Sequence, residues 1–275
     1  MSSAGIKISF IGGGNMATAL IGGMLRQGAN AASISVVEPF DAARAKLAQE
    51  FGVTATATPG AELRSSDLVV LAVKPQNMRE AASAVAPYLD HQLVLSIAAG
   101  TRVADLSRWL GGHQAIVRTM PNTPALIGMG ITGMFAASSV SADQRAAAER
   151  VMRAVGDVVW VDNESLIDPV TAISGSGPAY VFYFLEALAE AGATLGLNAD
   201  DAKRLALATF AGAAKLAADS PDDFATLRTR VTSKGGTTAA ALAVLAERQV
   251  REAIIAAASA ASARGREMGE QLGKD

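Results

Sequence analysis

The stretch SFIGGGNMATAL, residues 9–20, decides how the first half of the chain is interpreted. The apolar run at residues 6–11 predicts a strand, three glycines follow it, and residues 16–27 have the apolar spacing of a helix. Gly12, Gly14 and Ala17 match the pattern G-x-G-x-x-[G/A], which alone is a weak signal of dinucleotide binding. Here it joins a strand to a helix, which is the context that a dinucleotide-binding loop requires.

Each small residue of this loop has a distinct task if the loop binds a dinucleotide. Gly12 would permit the tight turn, Gly14 would let a pyrophosphate approach the backbone, and Ala17 would keep helix and strand close. Free N–H groups at the helix start would then face the phosphates. The predicted cofactor-binding residues of the loop are Gly12, Gly13, Gly14, Asn15 and Met16. A tight turn without a ligand is the alternative.

An acidic residue ends the next predicted strand, residues 34–38. A carboxylate at the position of Glu38 usually accepts hydrogen bonds from the adenosine ribose hydroxyls, which favours NAD over NADP. Binding of NADP needs a nearby cation instead, and Arg44 is the nearest one in the sequence. We expect NADPH and NADH both to work and leave their ranking open. The alternative interpretation of Glu38 is an ordinary solvent-facing glutamate at a strand end.

Strands and helices alternate over the first half of the chain, which predicts an α/β fold with a mostly parallel sheet covered on both faces. The predicted strands are residues 6–11, 34–38, 68–73, 93–97, 115–119, 131–136 and 158–161. The predicted helices are residues 16–27, 42–51, 77–85 and 143–155.

Three loops follow successive predicted strands of this sheet. They read LAVKPQ at residues 71–76, SIAAG at 96–100 and MPNTP at 120–124. Ligands of open α/β sheets lie beyond the carboxyl ends of the strands, so these loops are expected to form the floor of a cleft. Small residues would let a flat nicotinamide ring lie close, and Asn122 could hydrogen-bond its carboxamide. The cofactor-binding residues predicted here are Ala72, Val73, Lys74, Pro75, Ala98, Ala99 and Asn122.

The second half of the chain has helical spacing and almost no β-branched runs. Helices are predicted over residues 180–195, 199–217, 237–247 and 249–268. We therefore predict a Rossmann-type dinucleotide-binding domain over residues 1–162, followed by an all-α domain over residues 163–275. The helices are rich in alanine and supply little apolar bulk, so we expect them to pack against a second subunit. A self-contained monomeric bundle is the alternative.

Two polar, glycine-rich islands interrupt the apolar second half. The first is ISGSGPAYVF at residues 173–182, in which Ser174, Ser176 and Pro178 could simply cap and start a helix. The second is VTSKGGTTAAAL at residues 231–242, which places hydroxyls and bare backbone N–H groups at a helix N-terminus. Such a terminus suits a carboxylate. Capping without a ligand is the alternative for both islands.

Composition excludes several kinds of function. The 275 residues carry 24 basic and 26 acidic side chains, for a net charge of -2. The chain therefore lacks the excess of basic residues that binding to nucleic acid or to an anionic membrane surface requires. The chain has no cysteine and two histidines, so no metal site is expected. No apolar run approaches the roughly 18 residues of a membrane helix. A strand so near the N-terminus leaves no room for a signal peptide, and we expect a cytoplasmic protein.

Five segments together resemble the Δ1-pyrroline-5-carboxylate reductase family, and they follow its order and spacing nearly from end to end. They are FIGGGNMATALIGGML, LAVKPQ, RTMPNTP, VTAISGSGPAYVFYFLEAL and VTSKGGTTAAALAVLAE. The last segment matches the signature region of the family and is the most specific. The glycine loop is the least specific, because Rossmann enzymes share it.

The resemblance implies a reductase that passes a hydride from NADPH or NADH to the C=N carbon of Δ1-pyrroline-5-carboxylate, a cyclic imino acid, and so produces L-proline. It also implies a homodimer formed by the C-terminal helices, commonly assembled further into a decamer of five dimers. The family holds the substrate carboxylate in the loop that matches residues 233–238. By this correspondence the substrate-binding residues are Ser233, Gly235, Gly236, Thr237 and Thr238, and Thr238 is the catalytic residue that hydrogen-bonds the ring nitrogen.

Two other functions remain open at the level of sequence. A β-hydroxyacid dehydrogenase also joins a Rossmann domain to helices, but it usually places a lysine on an interdomain helix, and here no lysine follows Ser174 before Lys203. A dinucleotide-binding protein without enzymatic activity would have no need of the loop at residues 233–238. One departure from the resemblance stands out, because many members of the family carry a small or cationic residue where this chain has Glu38 and Pro39, and those members prefer NADPH.

Overall fold

The structure, a computed structural model, describes residues 5–274, so the outer limits of the predicted domains, residues 1 and 275, lie outside it. The chain forms two compact units. The first runs to Ser176 and resumes at Ala260, and the second spans Gly177–Ser259. The predicted boundary after residue 162 stays a prediction. Residues 163–176 belong to the first unit because buried ion pairs and apolar contacts, described below, fix them to its sheet.

An eight-stranded sheet is the centre of the first unit. Its strands are β1 Ile8–Ile11, β2 Ile34–Val37, β3 Thr54–Thr56, β4 Leu68–Leu71, β5 Leu93–Ser96, β6 Ile116–Met120, β7 Gly130–Ala136 and β8 Gly156–Trp160. Their order in space is β3-β2-β1-β4-β5-β6-β7-β8. Only the pair β6–β7 is antiparallel within this sheet, so the prediction of a mostly parallel sheet is confirmed.

Strand β3 is the strand that sequence patterning missed. It is three residues long, reads TAT, and buries no side chain fully. A run this short, with no large apolar residue, carries no period-two signal. The sheet order places it at an edge beside β2, where it extends the surface around the end of that strand.

Both faces of the sheet are covered, as predicted. Alternate residues of each central strand enter different apolar clusters: Leu68 and Val70 join one, and Val69 and Leu71 join the other. The covering helices are α1 Asn15–Arg26, α2 Asp41–Phe51, α3 Met78–Val85, α4 Val103–Trp109, α5 Ala142–Arg153 and the single turn α6 Ile167–Val170. Strands buried on two faces need apolar side chains at successive positions, which is why these runs lack alternation.

Five helices follow: α7 Gly177–Thr194, α8 Ala199–Asp219, α9 Phe224–Arg230, α10 Thr237–Glu247 and α11 Val250–Leu272, whose residues from Ala260 belong to the first unit. Small residues let α7 and α8 approach closely, since a Cβ added to Gly192 would lie 2.9 Å from the Cβ of Ala202. Within residues 177–259, only Ala202 and Ala206 are buried apolar side chains. Among residues 5–274, no helix has the length and apolarity that crossing a membrane would need.

Candidate active site

Strand register brings the predicted cofactor loops to one edge of the sheet. The N–H of Gly12 donates to the carbonyl of Val37 over 2.8 Å, and the N–H of Ala72 donates to the carbonyl of Ile11 over 2.8 Å. The loops after β1, β2 and β4 therefore begin side by side. The strand order also reverses between β1 and β4, and open α/β sheets bind their ligands in the crevice at such a switch point.

Two glycines of the loop after β1 serve opposite purposes. Gly12 has φ +100°, and a Cβ there would lie 2.7 Å from the carbonyl oxygen of Ala72, so both backbone conformation and close packing require glycine. Gly14 has an ordinary φ of -70°, and a Cβ there would meet nothing within 4 Å. The fold itself makes no demand for glycine at position 14. The open space beside it fits the approach of a ligand.

The N-terminus of α1 fits an anion. No side chain caps the helix at Gly14, and its first turn contains no acidic residue. The first helical hydrogen bond runs from the N–H of Thr18 to the carbonyl of Gly14 over 2.9 Å, so the N–H groups of Asn15 and Met16 precede it. Uncapped N–H groups at the positive end of a helix dipole bind phosphate. The residues of this loop therefore fit a dinucleotide pyrophosphate.

Glu38 turns towards the glycine loop. It is 7% exposed, and its two carboxylate oxygens accept hydrogen bonds from the N–H of Gly13 over 2.8 Å and from the N–H of Phe40 over 3.1 Å. The interpretation of Glu38 as a solvent-facing glutamate is therefore wrong, because the backbone N–H groups around it offer better partners than water alone. Its predicted contact with a ribose stays a prediction.

The loops after β4 and β5 offer small or half-buried side chains at the same edge. Ala72 and Val73 are half-buried, Lys74 is exposed, and Pro75 opens a short 3₁₀ turn beyond the end of the strand at Leu71. After β5, Ala98 is buried and Ala99 is half-buried. These positions agree with the expected floor of a cleft, and their contacts with a cofactor remain predicted.

The side-chain oxygen of Asn122 already makes a hydrogen bond within the fold. Its side-chain oxygen accepts a hydrogen bond from the N–H of Ile131 over 3.0 Å and so fixes the start of β7. The side chain is nearly buried, at 9% exposure. Its NH₂ group is then the part available to a ligand, and that group can donate to the carbonyl oxygen of a carboxamide.

The loop before α10 has the geometry of an anion site within the second unit. Gly235 has φ +72°, which favours glycine, and a Cβ on Gly236 would lie 2.4 Å from the Ser233 hydroxyl and displace it. Gly236 precedes α10, where no side chain caps the helix and the first turn has no acidic residue. Thr238 is half-buried, while Ser233 and Thr237 are exposed. Hydroxyls and uncapped N–H groups thus meet at one helix N-terminus, which suits a carboxylate.

Known proteins resemble this chain over nearly its whole length. The family described as "Pyrroline-5-carboxylate reductase dimerisation" matches residues 164–268, and the family "NADP oxidoreductase coenzyme F420-dependent" matches residues 7–100. The pyrroline-5-carboxylate reductase of Pseudomonas aeruginosa is 46% identical over 269 residues, which cover 98% of each chain. The chain belongs to the pyrroline-5-carboxylate reductase family. The predicted family is therefore confirmed, and membership decides against the β-hydroxyacid dehydrogenase alternative.

Solved structures of this family agree with the fold. The pyrroline-5-carboxylate reductase of Coxiella burnetii superposes with a TM-score of 0.91 at 39% identity, covering 96% of this chain and 98% of that one. The Plasmodium falciparum pyrroline carboxylate reductase with NADP bound superposes with a TM-score of 0.85 at 29% identity, covering 97% and 99%. The predicted Rossmann-type domain and helical dimerisation domain are confirmed. The dimerisation family also supports the predicted homodimer.

Sequence reasoning gave no role to Arg118, which the structure places in a buried ion-pair network. Its side chain, on β6, is 4% exposed and pairs with Glu164 over 3.0 Å and with Asp168 over 3.5 Å. Glu164 also accepts a hydrogen bond from the N–H of Val103, at the start of α4, over 2.8 Å. An arginine inside an apolar strand run was the available signal, because a buried charge requires partners. The network fixes residues 164–168 to the strand that leads into the MPNTP loop.

Ser174 of the first glycine-rich island does not cap a helix. The backbone continues from α6 through a π-helical turn, Thr171–Gly175, towards α7. The Ser174 hydroxyl donates to the carbonyl of Val170 over 3.0 Å, back along the same helical segment. The capping interpretation of Ser174 is therefore wrong, because the helical backbone passes through this position and leaves no N-terminus there to cap. The glycine at position 175 admits Met120, whose methyl group would lie 2.6 Å from an added Cβ.

Proposed function

We propose that this chain is an NAD(P)H-dependent pyrroline-5-carboxylate reductase, which reduces the C=N bond of Δ1-pyrroline-5-carboxylate to give L-proline. The observation that carries the proposal is the uncapped N-terminus of α10, whose preceding loop and first turn contain the hydroxyl residues Ser233, Thr237 and Thr238. That arrangement offers hydrogen-bond donors to the carboxylate of a small substrate. The uncapped N-terminus of α1 is a separate donor site, and it suits the pyrophosphate of a dinucleotide.

The substrate carboxylate is assigned to the loop of residues 233–238. Ser233 donates its hydroxyl and Thr237 its backbone N–H at the positive end of α10, whereas the N–H of Gly236, also predicted to bind, already donates to the carbonyl of Ser233 over 3.1 Å. The positive φ of Gly235, +72°, lets the chain turn so that these donors converge. Hydrogen bonds to a charged acceptor contribute about 1.5–3 kcal/mol each, so two or three of them are enough to orient a small imino acid.

Thr238 is assigned to the ring nitrogen. When bound, the reduced nicotinamide supplies the hydride. Thr238 hydrogen-bonds the ring nitrogen as it becomes an amine and thereby fixes which carbon and which face of the ring are presented. An iminium nitrogen that arrives protonated needs no strong general acid. Holding the hydride donor and the imine close together in the reactive orientation lowers the barrier, by about 7–11 kcal/mol in well-oriented systems.

The assembly and location belong to the same proposal. The helical unit forms a homodimer, and five dimers assemble into a decamer. The exposed apolar side chains of this unit support association, because isolated chains rarely leave so many uncovered. A cytoplasmic location is supported by the chemistry, since the reaction consumes reduced nicotinamide cofactors that cells regenerate there.

Steady-state rates test the function directly. Oxidation of NADH and of NADPH is followed in the presence of Δ1-pyrroline-5-carboxylate, and the product is assayed as L-proline. Thr238→Ala is expected to lower kcat by about 100-fold, the usual cost of losing a donor that acts in the transition state. Ser233→Ala is expected to raise KM for the imino acid about tenfold with a smaller effect on kcat, because it removes one hydrogen bond to the carboxylate.

Thr194→Ala is the matched control for these variants. Its hydroxyl donates to the carbonyl of Glu190 at the end of α7, so the change deletes the same group from a place with no assigned role. The rates of this variant should equal those of the unaltered chain. Full turnover by Thr238→Ala at saturating substrate would contradict the assigned role of Thr238. Folded, oligomeric protein that turns over with neither cofactor would contradict the proposed function itself.

A further inference from the structure

The corner of the sheet at the end of β2 carries an excess of negative charge. Glu38 and the neighbouring Asp41 are both acidic, and Arg44 pairs with Asp41 in an i,i+3 ion pair. Arg44 also donates to the backbone carbonyls of Glu38 over 2.7 Å and of Pro39 over 2.8 Å. The cation nearest in sequence is therefore already engaged by one carboxylate and two carbonyls. Two negative charges against one positive charge leave this corner with a net negative charge.

The carboxylate of Glu38 keeps capacity for two further donors. A carboxylate has about four acceptor sites, and the N–H groups of Gly13 and Phe40 occupy one site on each oxygen. The hydrogen bond to Gly13 fixes the carboxylate beside the dinucleotide loop, so the adenosine ribose of a dinucleotide bound there as in other folds of this kind would lie near the remaining sites. Two ribose hydroxyls supply the two donors that these sites lack.

A 2′-phosphate offers this corner the opposite chemistry. It brings only acceptor oxygens and between one and two negative charges, and it would stand against the acceptor oxygens of Glu38. Arg44 already gives three of its five N–H donors to Asp41 and the two carbonyls, and its positive charge is shared with the carboxylate of Asp41, so it offsets only part of the charge of a 2′-phosphate. Juxtaposing like charges in a partly buried site is unfavourable and therefore discriminates against the phosphorylated cofactor.

We propose that this chain selects the dinucleotide without a 2′-phosphate, NADH over NADPH, and that Glu38 is the residue that selects it. The inference rests on the proposed function only in placing a dinucleotide at the glycine loop. It concerns this chain alone, since the family includes a member whose structure holds NADP. It also ranks the two cofactors, which the sequence pattern left unranked.

Binding of the oxidised cofactors tests the inference without turnover. Dissociation constants for NAD⁺ and NADP⁺ are measured by titration calorimetry on the full oligomer. The unaltered chain is expected to bind NAD⁺ about tenfold or more tightly than NADP⁺. Glu38→Gln keeps a side-chain oxygen for the N–H of Gly13 but removes the charge. It is expected to shift the ratio of the two constants about tenfold towards NADP⁺.

Glu50→Gln is the matched control, since it makes the same chemical change at an exposed position near the other end of α2. It should leave the ratio unchanged. Competition between adenosine 5′-monophosphate and adenosine 2′,5′-bisphosphate on the unaltered chain keeps the test valid if Glu38→Gln does not fold, and the bisphosphate is expected to bind more weakly.

Two results would overturn the selectivity: NADP⁺ binding at least as tightly as NAD⁺ in the unaltered chain, or an unchanged ratio in folded Glu38→Gln. Reduction of the imine with a preference for NADPH would remove the selectivity and leave the proposed function standing. Selective binding of NAD⁺ without reduction of the imine would contradict the proposed function and leave the selectivity standing.

Discussion

Single residues of the glycine loop are under different physical constraints although they belong to one motif. Gly12 is required by the fold, because its φ of +100° and its distance from the carbonyl of Ala72 both exclude a side chain. Gly14 has an ordinary backbone conformation and open space around the position of a Cβ. The structure therefore separates a glycine that the fold requires from a glycine that only a ligand would require.

Replacing each of these glycines by alanine tests that separation. Gly12→Ala is expected to lower the free energy of unfolding by about 2–3 kcal/mol, through an unfavourable φ and a clash with the backbone of Ala72. Gly14→Ala is expected to leave the free energy of unfolding within about 0.5 kcal/mol of the unaltered value. It should nevertheless weaken NAD⁺ binding at least about tenfold, because the methyl group fills the approach of the pyrophosphate.

Urea unfolding and NAD⁺ titration on both variants make the two measurements. Normal cofactor binding by a stably folded Gly14→Ala would show that the open space beside α1 is not the pyrophosphate site. Equal stability of Gly12→Ala and the unaltered chain would contradict the packing argument at Gly12.

For single residues of the site, the sequence could not predict the direction in which a side chain points. The pattern located Glu38 at a strand end, but its orientation depends on the N–H of Gly13, which lies 25 positions earlier. Asn122 was identified as a hydrogen-bonding residue, yet its oxygen serves the N–H of Ile131 in the fold. Hydrogen-bond partners that lie far apart in the chain are chosen by the register of the sheet.

At the scale of elements, α1 packs against the turn between α5 and β8 through one glycine. A Cβ on Gly23 would lie 2.3 Å from the carbonyl oxygen of Ala154, a backbone atom that cannot move without its helix. A Cβ on the adjacent Gly22 would lie 3.3 Å from the ends of the Arg26 and Phe51 side chains, which can yield. The approach of the two elements is therefore set at Gly23.

These two adjacent glycines supply a matched pair of variants. Gly23→Ala is expected to lower the free energy of unfolding by about 3 kcal/mol, because α1 and the Ala154 turn must separate. Gly22→Ala is expected to stay near neutral, since the gain of about 1 kcal/mol in helix propensity offsets mild crowding. Urea unfolding at a fixed protein concentration compares them. Equal values for the two variants would refute this account of the packing.

Helix α5 and strand β8 are also joined by a charge-assisted hydrogen bond. The indole N–H of Trp160 donates to Glu149 over 2.8 Å, and Arg153 binds the other oxygen of the same carboxylate over 2.8 Å. The Trp160 hydrogen bond and then Arg153 lower the pKa of Glu149 below its ordinary value. Arg145 lies 3.9 Å over the Trp160 ring and adds a cation–π contact. The pairing therefore stabilises the ionised form of Glu149.

A pKa that is lowered in the folded state fixes the sign of the pH dependence. The stability from Glu149 is fully present above the pKa of the unfolded chain and is lost as the pH falls through the lower folded value. Trp160→Phe keeps the ring under Arg145 but removes the N–H donor. It is expected to raise the pKa of Glu149 and to lower the free energy of unfolding at pH 7 by about 1 kcal/mol. The deficit should shrink as the medium becomes acidic.

Trp109→Phe is the control for this prediction, because the indole N–H of Trp109 is buried without a hydrogen-bond partner among the described residues. Its effect on stability should not depend on pH. Urea unfolding of both variants between about pH 3 and pH 7 covers the interval in which a carboxyl group titrates. A deficit in Trp160→Phe that stays constant over that interval would contradict the coupling.

At the scale of the whole molecule, the second unit leaves its large apolar side chains uncovered. Within residues 177–259, Phe182, Leu216 and Ile255 are among those more than half exposed, at 65%, 61% and 52%. Its two buried apolar residues are alanines, so this unit has little core of its own. Burial of apolar surface contributes about 25 cal/mol per Å², and only association makes that contribution available to these side chains.

Association should therefore be inseparable from stability. Sedimentation of the 28.0 kDa chain is expected to show no monomer at micromolar concentration, and the Tm should rise with protein concentration. Ile255→Glu is expected to dissociate or unfold the assembly, because it would bury a charge, whereas Ile255→Leu should preserve it. A folded monomer with a Tm independent of concentration would contradict this expectation.

The sequence by itself determined the alternation of strands and helices, the helical second half and the glycine-rich loops. These are properties of neighbouring residues, set by hydrophobic period and by the backbone freedom of glycine. Only the tertiary structure decided which loops meet at the edge of the sheet and that Arg118 reaches Glu164, 46 positions away. It also decided that Glu38 faces Gly13, and that β3 joins the sheet. Such contacts follow from strand order and register, which no local pattern of side chains encodes.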